Sequence, residues 1–128
     1  MQRIIHITAR FSFSFVLIFF GLNQFFHFMP NPNYPTEAQN LIDAFQHSGY
    51  IFYTVGTTQI VLGITLLINK YIPLGLLLFA PILVNVLLFH LCVDIAGLSK
   101  VLPTLLLYTY FIFRHKSLFI SIFKCLSL

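Results

Sequence analysis

The chain has 128 residues, of which 59% are hydrophobic and 8% charged, with a mean hydropathy of +0.92 and a formal net charge of +4. This length predicts a single domain over residues 1–128, and the long, almost uncharged runs place that domain among membrane proteins rather than soluble ones. The basic residues lie at the ends of apolar runs and form no patch, so the positive charge does not indicate nucleic acid as a partner.

Four apolar segments are each close to the ~20 residues that a helix needs to cross ~30 Å of hydrocarbon. They cover residues 8–28, 51–69, 73–92 and 101–121. The stretches between them, PNPNYP, NKYIP and DIAGLSK, contain residues that end helices. The predicted fold class is therefore all-α, an integral membrane four-helix transmembrane bundle whose main partner is the lipid bilayer.

The first connection is long enough to contain a helix of its own. Thr36 is predicted to cap its N-terminus, Glu37 lies in its first turn, and Gly49 is predicted to end it. We expect a short helix over residues 37–48, amphipathic and lying at the membrane interface between the first and second spans.

The distribution of Lys and Arg predicts the orientation. If the N-terminus is cytoplasmic, six of the seven Lys and Arg residues fall on the cytoplasmic side, and Lys100 alone falls outside. The six are Arg3, Arg10, Lys70, Arg114, Lys116 and Lys124. Both termini are therefore predicted to be cytoplasmic, and the three acids, Glu37, Asp43 and Asp94, belong to the outer connections.

Polar residues near the outer end of the first span are the first candidates for function. Asn23 and Gln24 lie four and three residues before His27, so all three share one helix face, with Gly21 on the same side. An unpaired amide or imidazole costs several kcal/mol in hydrocarbon. We therefore expect these side chains to face other helices or a cavity.

The second span carries Gln59 near its middle, between Gly56 and Gly63. The glycines allow a neighbouring helix to approach closely. The Gln59 amide then either points into a pocket or makes an interhelical hydrogen bond that fixes packing alone, and the sequence leaves both alternatives open.

The third span contains Pro81, which is expected to free a backbone carbonyl one turn earlier and to kink the helix. Asn85 and His90 follow it, about 140° apart around an ideal helix, so they cannot both point at the bundle axis. In the fourth span Tyr108 is predicted to lie slightly to the outer side of the middle. A cavity open to the outer leaflet is predicted among these polar side chains, which are Gln24, Gln59, Asn85 and Tyr108, with His27 or His90 at its mouth.

No metal site is predicted, because Cys92 and Cys125 form no CxxC pair and no cluster of thiols. One alternative is that the two transmembrane histidines, His27 and His90, serve as axial ligands of a haem. Histidines near the interface more often make capping hydrogen bonds, so haem is not expected.

The segments FFGLNQFFHFMP, TQIVLGITLL and PLGLLLFAPILVNVLLFHL, in this order, resemble the DoxX-like family of small bacterial membrane proteins. The likeness covers nearly all of the chain and implies a four-helix bundle in the bacterial cytoplasmic (inner) membrane. Relatives often have Lys and Glu at the positions of Gln24 and Gln59. The joint replacement by two amides predicts that these side chains are close in space.

The family takes its name from a subunit of a thiosulfate:quinone oxidoreductase. The resemblance implies an accessory or partner-binding subunit of a quinone-linked membrane redox system, working with a membrane redox partner protein. Quinone carbonyls would be hydrogen-bonded by Gln59, Asn85, His90 or Tyr108. A catalytic oxidoreductase subunit using quinone, a small-solute transporter and a purely structural membrane protein stay open as alternatives.

Phenylalanines of the first span, Phe11, Phe13 and Phe15, present a large apolar surface. A homo-oligomer interface and lipid contact both explain them, and lipid contact is the interpretation we prefer.

Overall fold

The structure is a computed structural model that describes residues 1–127. Six α-helices and one short 3₁₀ turn make up this part of the chain, and it contains no strand. The elements are α1 (Gln2–Phe26), α2 (Thr36–Ser48), α3 (Tyr50–Ile68), α4 (Ile72–Cys92), the 3₁₀ turn (Ile95–Gly97), α5 (Leu98–Arg114) and α6 (Lys116–Leu126). The predicted all-α class is confirmed.

Four helical stretches are long and apolar enough to cross a membrane. They are α1, α3, α4 and the run Ile95–Arg114, which joins the 3₁₀ turn to α5. The protein is therefore a multi-pass membrane protein with four spans, in which successive spans run in opposite directions. We call the side that carries residues 27–35 and 93–97 the loop end, and the side that carries the N-terminus, residues 69–71 and the α5–α6 junction the terminal end.

Helix α1 is longer at its start than the predicted span. It begins at Gln2 instead of residue 8, because polar residues at a membrane surface do not interrupt a helix even though they lower its hydropathy. It ends at Phe26, two residues earlier than predicted, where His27 adopts the left-handed conformation with φ of 52°.

Helix α2 begins one residue before its predicted start. Thr36 is the first helical residue and Pro35 occupies the capping position, so the assignment of Thr36 as the N-cap was wrong. Proline suits the place before a helix because its φ is fixed near the helical value and it has no N–H to satisfy. Gly49, with φ of 77°, ends α2 as predicted.

The fourth predicted span, residues 101–121, is divided in the structure. Helix α5 ends at Arg114, and α6 starts at Lys116 after a break at His115. The imidazole Nδ1 of His115 lies 3.0 Å from the carbonyl oxygen of Phe111. Three consecutive basic residues, Arg114 to Lys116, favour the membrane surface over hydrocarbon, so the span ends there.

The core lies between α1, α3 and α4, with one aromatic residue from α5. The Phe13 and Phe111 rings stack with centroids 5.8 Å apart, and both side chains are fully buried. Phe11 and Phe15 are instead 46% and 72% exposed. Residues two apart on a helix point about 200° apart, so Phe13 faces the core while Phe11 and Phe15 face the opposite side of α1.

Glycines set the distance between α1 and α3. A Cβ atom on Gly56 would lie 2.9 Å from the Gly21 carbonyl oxygen, and one on Gly63 would lie 3.1 Å from the Ser14 carbonyl oxygen. Helix α4 continues unbroken through Pro81, whose side chain faces outward.

Candidate functional site

An ionisable pair lies at the loop end, where α4 finishes. His90 Nδ1 is 3.1 Å from Asp94 Oδ2 and 3.3 Å from the Asp94 backbone oxygen. The two side chains are only 13% and 7% exposed. Because α4 ends at Cys92 and the 3₁₀ turn begins at Ile95, the chain folds Asp94 back under the last helical turn.

Gly97 makes room for this pair. A Cβ atom at Gly97 would collide with Asp94 Oδ2 and would lie 2.7 Å from His90 Nδ1. The position therefore requires glycine for its lack of a side chain, and the 3₁₀ turn holds the carboxylate against the imidazole.

Aromatic rings complete the site. Tyr34, from the connection between α1 and α2, packs edge-on against Phe89 with ring centroids 5.9 Å apart. Burial, and then the negative charge of Asp94, raise the pKa of the Tyr34 phenol above its ordinary value of 10.0. The Tyr34 phenol thus lies close enough to Asp94 for the carboxylate charge to affect its pKa.

The second imidazole nitrogen of His90 is available to a ligand. Its Nε2 makes no hydrogen bond to any residue from 1 to 127 and is not enclosed by protein. A carboxylate on Nδ1 fixes the orientation of the ring. Nε2 can then donate a hydrogen bond when His90 is protonated and accept one when it is neutral.

Sequence reasoning named His90 but treated Asp94 only as an acid of the outer connection, and it did not single out Tyr34. The spacing of His90 and Asp94, four residues apart at a helix end, was the signal that could have linked them.

The other predicted site residues lie apart from this pair. Gln24 packs against α3 at Gly56, where an added Cβ atom would lie 2.9 Å from the Gln24 Cβ. Gly56 is one helical turn from Gln59 on α3. No hydrogen bond joins the two amides among the described residues, and Gln59 Oε1 is buried without a partner. His27 is exposed, and the Asn23 side chain accepts a hydrogen bond from the Met29 N–H at 2.9 Å.

Asn85 and Tyr108 point in different directions. Asn85 is exposed on the outside of α4, where its Nδ2 donates to the Pro81 carbonyl oxygen at 2.9 Å. The Tyr108 hydroxyl donates to the Leu76 carbonyl oxygen at 2.7 Å and joins α5 to α4. Since the last span ends at Arg114, Tyr108 lies in the half toward the terminal end, and its predicted depth is corrected. The structure therefore does not bring the six candidate side chains into one cavity.

A depression of about 400 Å³ follows the exposed face of α3 and is lined by none of those six. It is formed by Tyr50, Tyr53, Thr54, Thr57 and Thr58. The hydroxyls of Thr54 and Thr57 donate to carbonyl oxygens of their own helix, at 2.8 and 2.7 Å. These hydroxyls are already satisfied, so we assign no site there.

Cys92 and Cys125 are free and exposed. In residues 1–127 no three side chains of the His, Cys, Asp and Glu types lie together in a group that could hold a metal ion.

These features are those of a small four-span membrane protein with a largely buried His–Asp pair at one end of its bundle. Comparison with protein families, curated proteins and solved structures finds no match to this chain.

Proposed function

We propose that this protein is a DoxX-like accessory subunit of a quinone-linked redox system in the bacterial inner membrane, and that His90 binds the quinone head group. The observation that carries the proposal is the buried Asp94 carboxylate on His90 Nδ1, which leaves Nε2 for a ligand. The resemblance of the α1 and α4 segments to the DoxX-like family supplies the ligand class.

The residues of the loop-end site fit a quinone. Quinone carbonyl oxygens accept hydrogen bonds and quinol hydroxyls also donate them, and an imidazole nitrogen can serve as the partner of either group. The Phe89 and Tyr34 rings offer an aromatic surface beside it. His90 lies two residues before the end of α4, near the interface, where a ligand with a polar head and an apolar tail is stable.

The accessory role is supported by Asn85. Its amide is exposed among apolar side chains on the outer face of α4, between Val84 at 54% and Leu88 at 52% exposure. An amide facing lipid is unfavourable, and a transmembrane helix of a partner subunit with a hydrogen-bonding side chain at this depth would compensate it.

We also propose an orientation of the protein in the membrane. Six of the seven Lys and Arg residues belong to the terminal end or α6, and the positive-inside rule assigns that side to the cytoplasm. The His90 site would then face the outer leaflet, and both termini the cytoplasm.

The direct test is mass spectrometry of the organic extract from protein purified in mild detergent. We expect quinone at a ratio near one per chain with wild type and a strong loss with His90→Ala. His47→Ala is the matched control, because His47 is an exposed histidine on α2 and its loss should leave the quinone in place. Equal quinone content in all three proteins, or none in any, contradicts the proposal.

The catalytic alternative is decided by reconstituting the purified chain with a quinone analogue and thiosulfate. Oxidation of two thiosulfates to tetrathionate supplies two electrons, and the quinone takes up these electrons and two protons. An enzyme forms quinol by itself, at a rate that His90→Ala lowers. An accessory subunit binds quinone without forming quinol until its partner is added.

A further inference from the structure

Basic side chains of α1 and α5 meet at the terminal end of the bundle. His6 Nδ1 lies 3.2 Å from the Tyr110 hydroxyl oxygen, and the His6 ring centroid lies 5.7 Å from that of Phe111. Arg10 and Arg114 are both near enough to act electrostatically on His6. His6 and Arg10 are four residues apart on α1, as Tyr110 and Arg114 are on α5, so two stripes face each other.

No side-chain carboxylate balances these charges. The three acids of the chain are Glu37 and Asp43 in α2 and Asp94 at the loop end. Within residues 1–127 the one ion pair is that of His90 and Asp94. The cationic groups between α1 and α5 therefore repel each other unless an anion from outside the chain lies between them.

Arg10 carries an unsatisfied donor. Its Nε is buried and has no hydrogen-bond partner, while its guanidinium carbon lies 4.9 Å from the centroid of the Phe11 ring. A buried N–H without an acceptor is unfavourable, and for a charged donor the cost is larger. An anionic oxygen is the partner that a guanidinium binds most strongly.

The two helices also leave space for such a group. An open depression of about 260 Å³ lies between them, lined by Gln2 and Ile5 of α1 and by Tyr110 and Arg114 of α5. Helix α1 packs closely along α3 but touches α5 at few places. A ligand in this depression would join the first and last spans of the bundle.

We propose that this terminal cleft, lined by Gln2, Ile5, Tyr110 and Arg114 with His6 beside Tyr110, binds a phosphate anion and so closes the bundle between α1 and α5. The cleft opens at the membrane surface, so the phosphodiester of an anionic phospholipid head group is the source that it meets first. Free phosphate offers the same oxygens and is the second source. The proposal is independent of the quinone site, which lies at the opposite end.

The test is thermal unfolding of the full chain in uncharged detergent. Phosphatidylglycerol, phosphatidylcholine or inorganic phosphate is titrated in turn. We expect a saturable rise in Tm with phosphatidylglycerol, little effect of phosphatidylcholine, and an apparent Kd about tenfold weaker in Arg114→Gln, as for loss of one charged hydrogen bond. A saturable, arginine-dependent rise with inorganic phosphate alone would keep the phosphate site and overturn its assignment to lipid.

Lys70→Gln is the matched control. Lys70 is exposed and lies at the same end of the bundle, between α3 and α4. Its substitution removes one positive charge, as Arg114→Gln does, but outside the cleft. If Lys70→Gln weakens the effect as much as Arg114→Gln, attraction to the general surface charge explains the result and the cleft is refuted. Arg10→Gln is a second variant, one helical turn from His6 beside the cleft. Arg114 is exposed, so its substitution keeps the test valid even if the partly buried Arg10 is needed for folding.

Discussion

The Ser14 hydroxyl donates a hydrogen bond to the Gly63 carbonyl oxygen at 2.6 Å, and both residues are buried where α1 and α3 cross. Small residues on both helices allow this contact, since any larger side chain would separate the backbones that the bond joins. The bond ties together the two most closely packed spans of the protein.

Gly63→Leu should destabilise the bundle. Even a Cβ at this position would lie 2.6 Å from Ile18 Cγ1, so a longer side chain must push α1 away and stretch the bond from Ser14. We expect a loss of about 1–3 kcal/mol in the free energy of unfolding, measured by denaturation in mixed detergent micelles. Thr57→Leu, at an exposed position of the same helix, should change stability by less than about 0.5 kcal/mol, and an equal loss in both variants would contradict the packing argument.

Tyr108→Phe should lower stability without affecting association with a partner, and Asn85→Leu should do the reverse. The first removes the hydrogen bond between α5 and α4 and should cost about 1 kcal/mol. The second removes only a bond within α4 and should leave thermal stability unchanged. If Asn85 meets a partner helix, Asn85→Leu should abolish co-purification with the redox partner while Tyr108→Phe retains it.

Gln59→Leu should preserve or raise stability. Its Oε1 is buried without a hydrogen-bond donor, and replacing an unsatisfied polar group by an apolar one of similar size removes that cost. We expect a gain of up to about 1 kcal/mol in the free energy of unfolding. A clear loss would mean that the amide has a partner, such as a bound ligand, in the purified protein.

Alkaline pH should destabilise the loop end through Tyr34. The pKa of the Tyr34 phenol is raised above 10.0 in the folded state, so above pH 10.0 the folded protein keeps a proton that the unfolded chain loses. Rising pH in this range therefore favours the unfolded chain. This contribution is fully present below pH 10.0 and is lost as pH rises through the raised pKa. Tyr34→Phe should therefore flatten the decline of the free energy of unfolding above pH 10.0, and identical curves for the two proteins would contradict it.

Asp94→Asn provides a second measurement on the same tyrosine. Removing the carboxylate charge should lower the Tyr34 pKa toward its ordinary value without reaching it, because burial is the larger cause of the shift. The titration of phenolate absorbance, taken as the difference from a Tyr34→Phe background, isolates this residue from the other five tyrosines.

The membrane class and the all-α fold with four spans could be predicted from the amino-acid sequence. A helix in hydrocarbon must satisfy its own backbone and be apolar over about 20 residues, so span number can be read from composition along the chain. Gly49 as the end of α2 is equally local, since a positive φ at a helix end favours glycine.

Contacts between polar side chains could not be predicted in this way, because they depend on how the helices pack. Asn85 and His90 belong to one helix, yet the first faces outward and the second pairs with Asp94, since helical rotation and the 3₁₀ turn set their directions. The break at His115 places Tyr108 in the other half of its span, because hydropathy alone cannot separate α5 from the helix α6 that follows it. Apolar periodicity places residues in the membrane, whereas contacts between residues as distant in sequence as Tyr34 and Phe89 depend on how the helices pack.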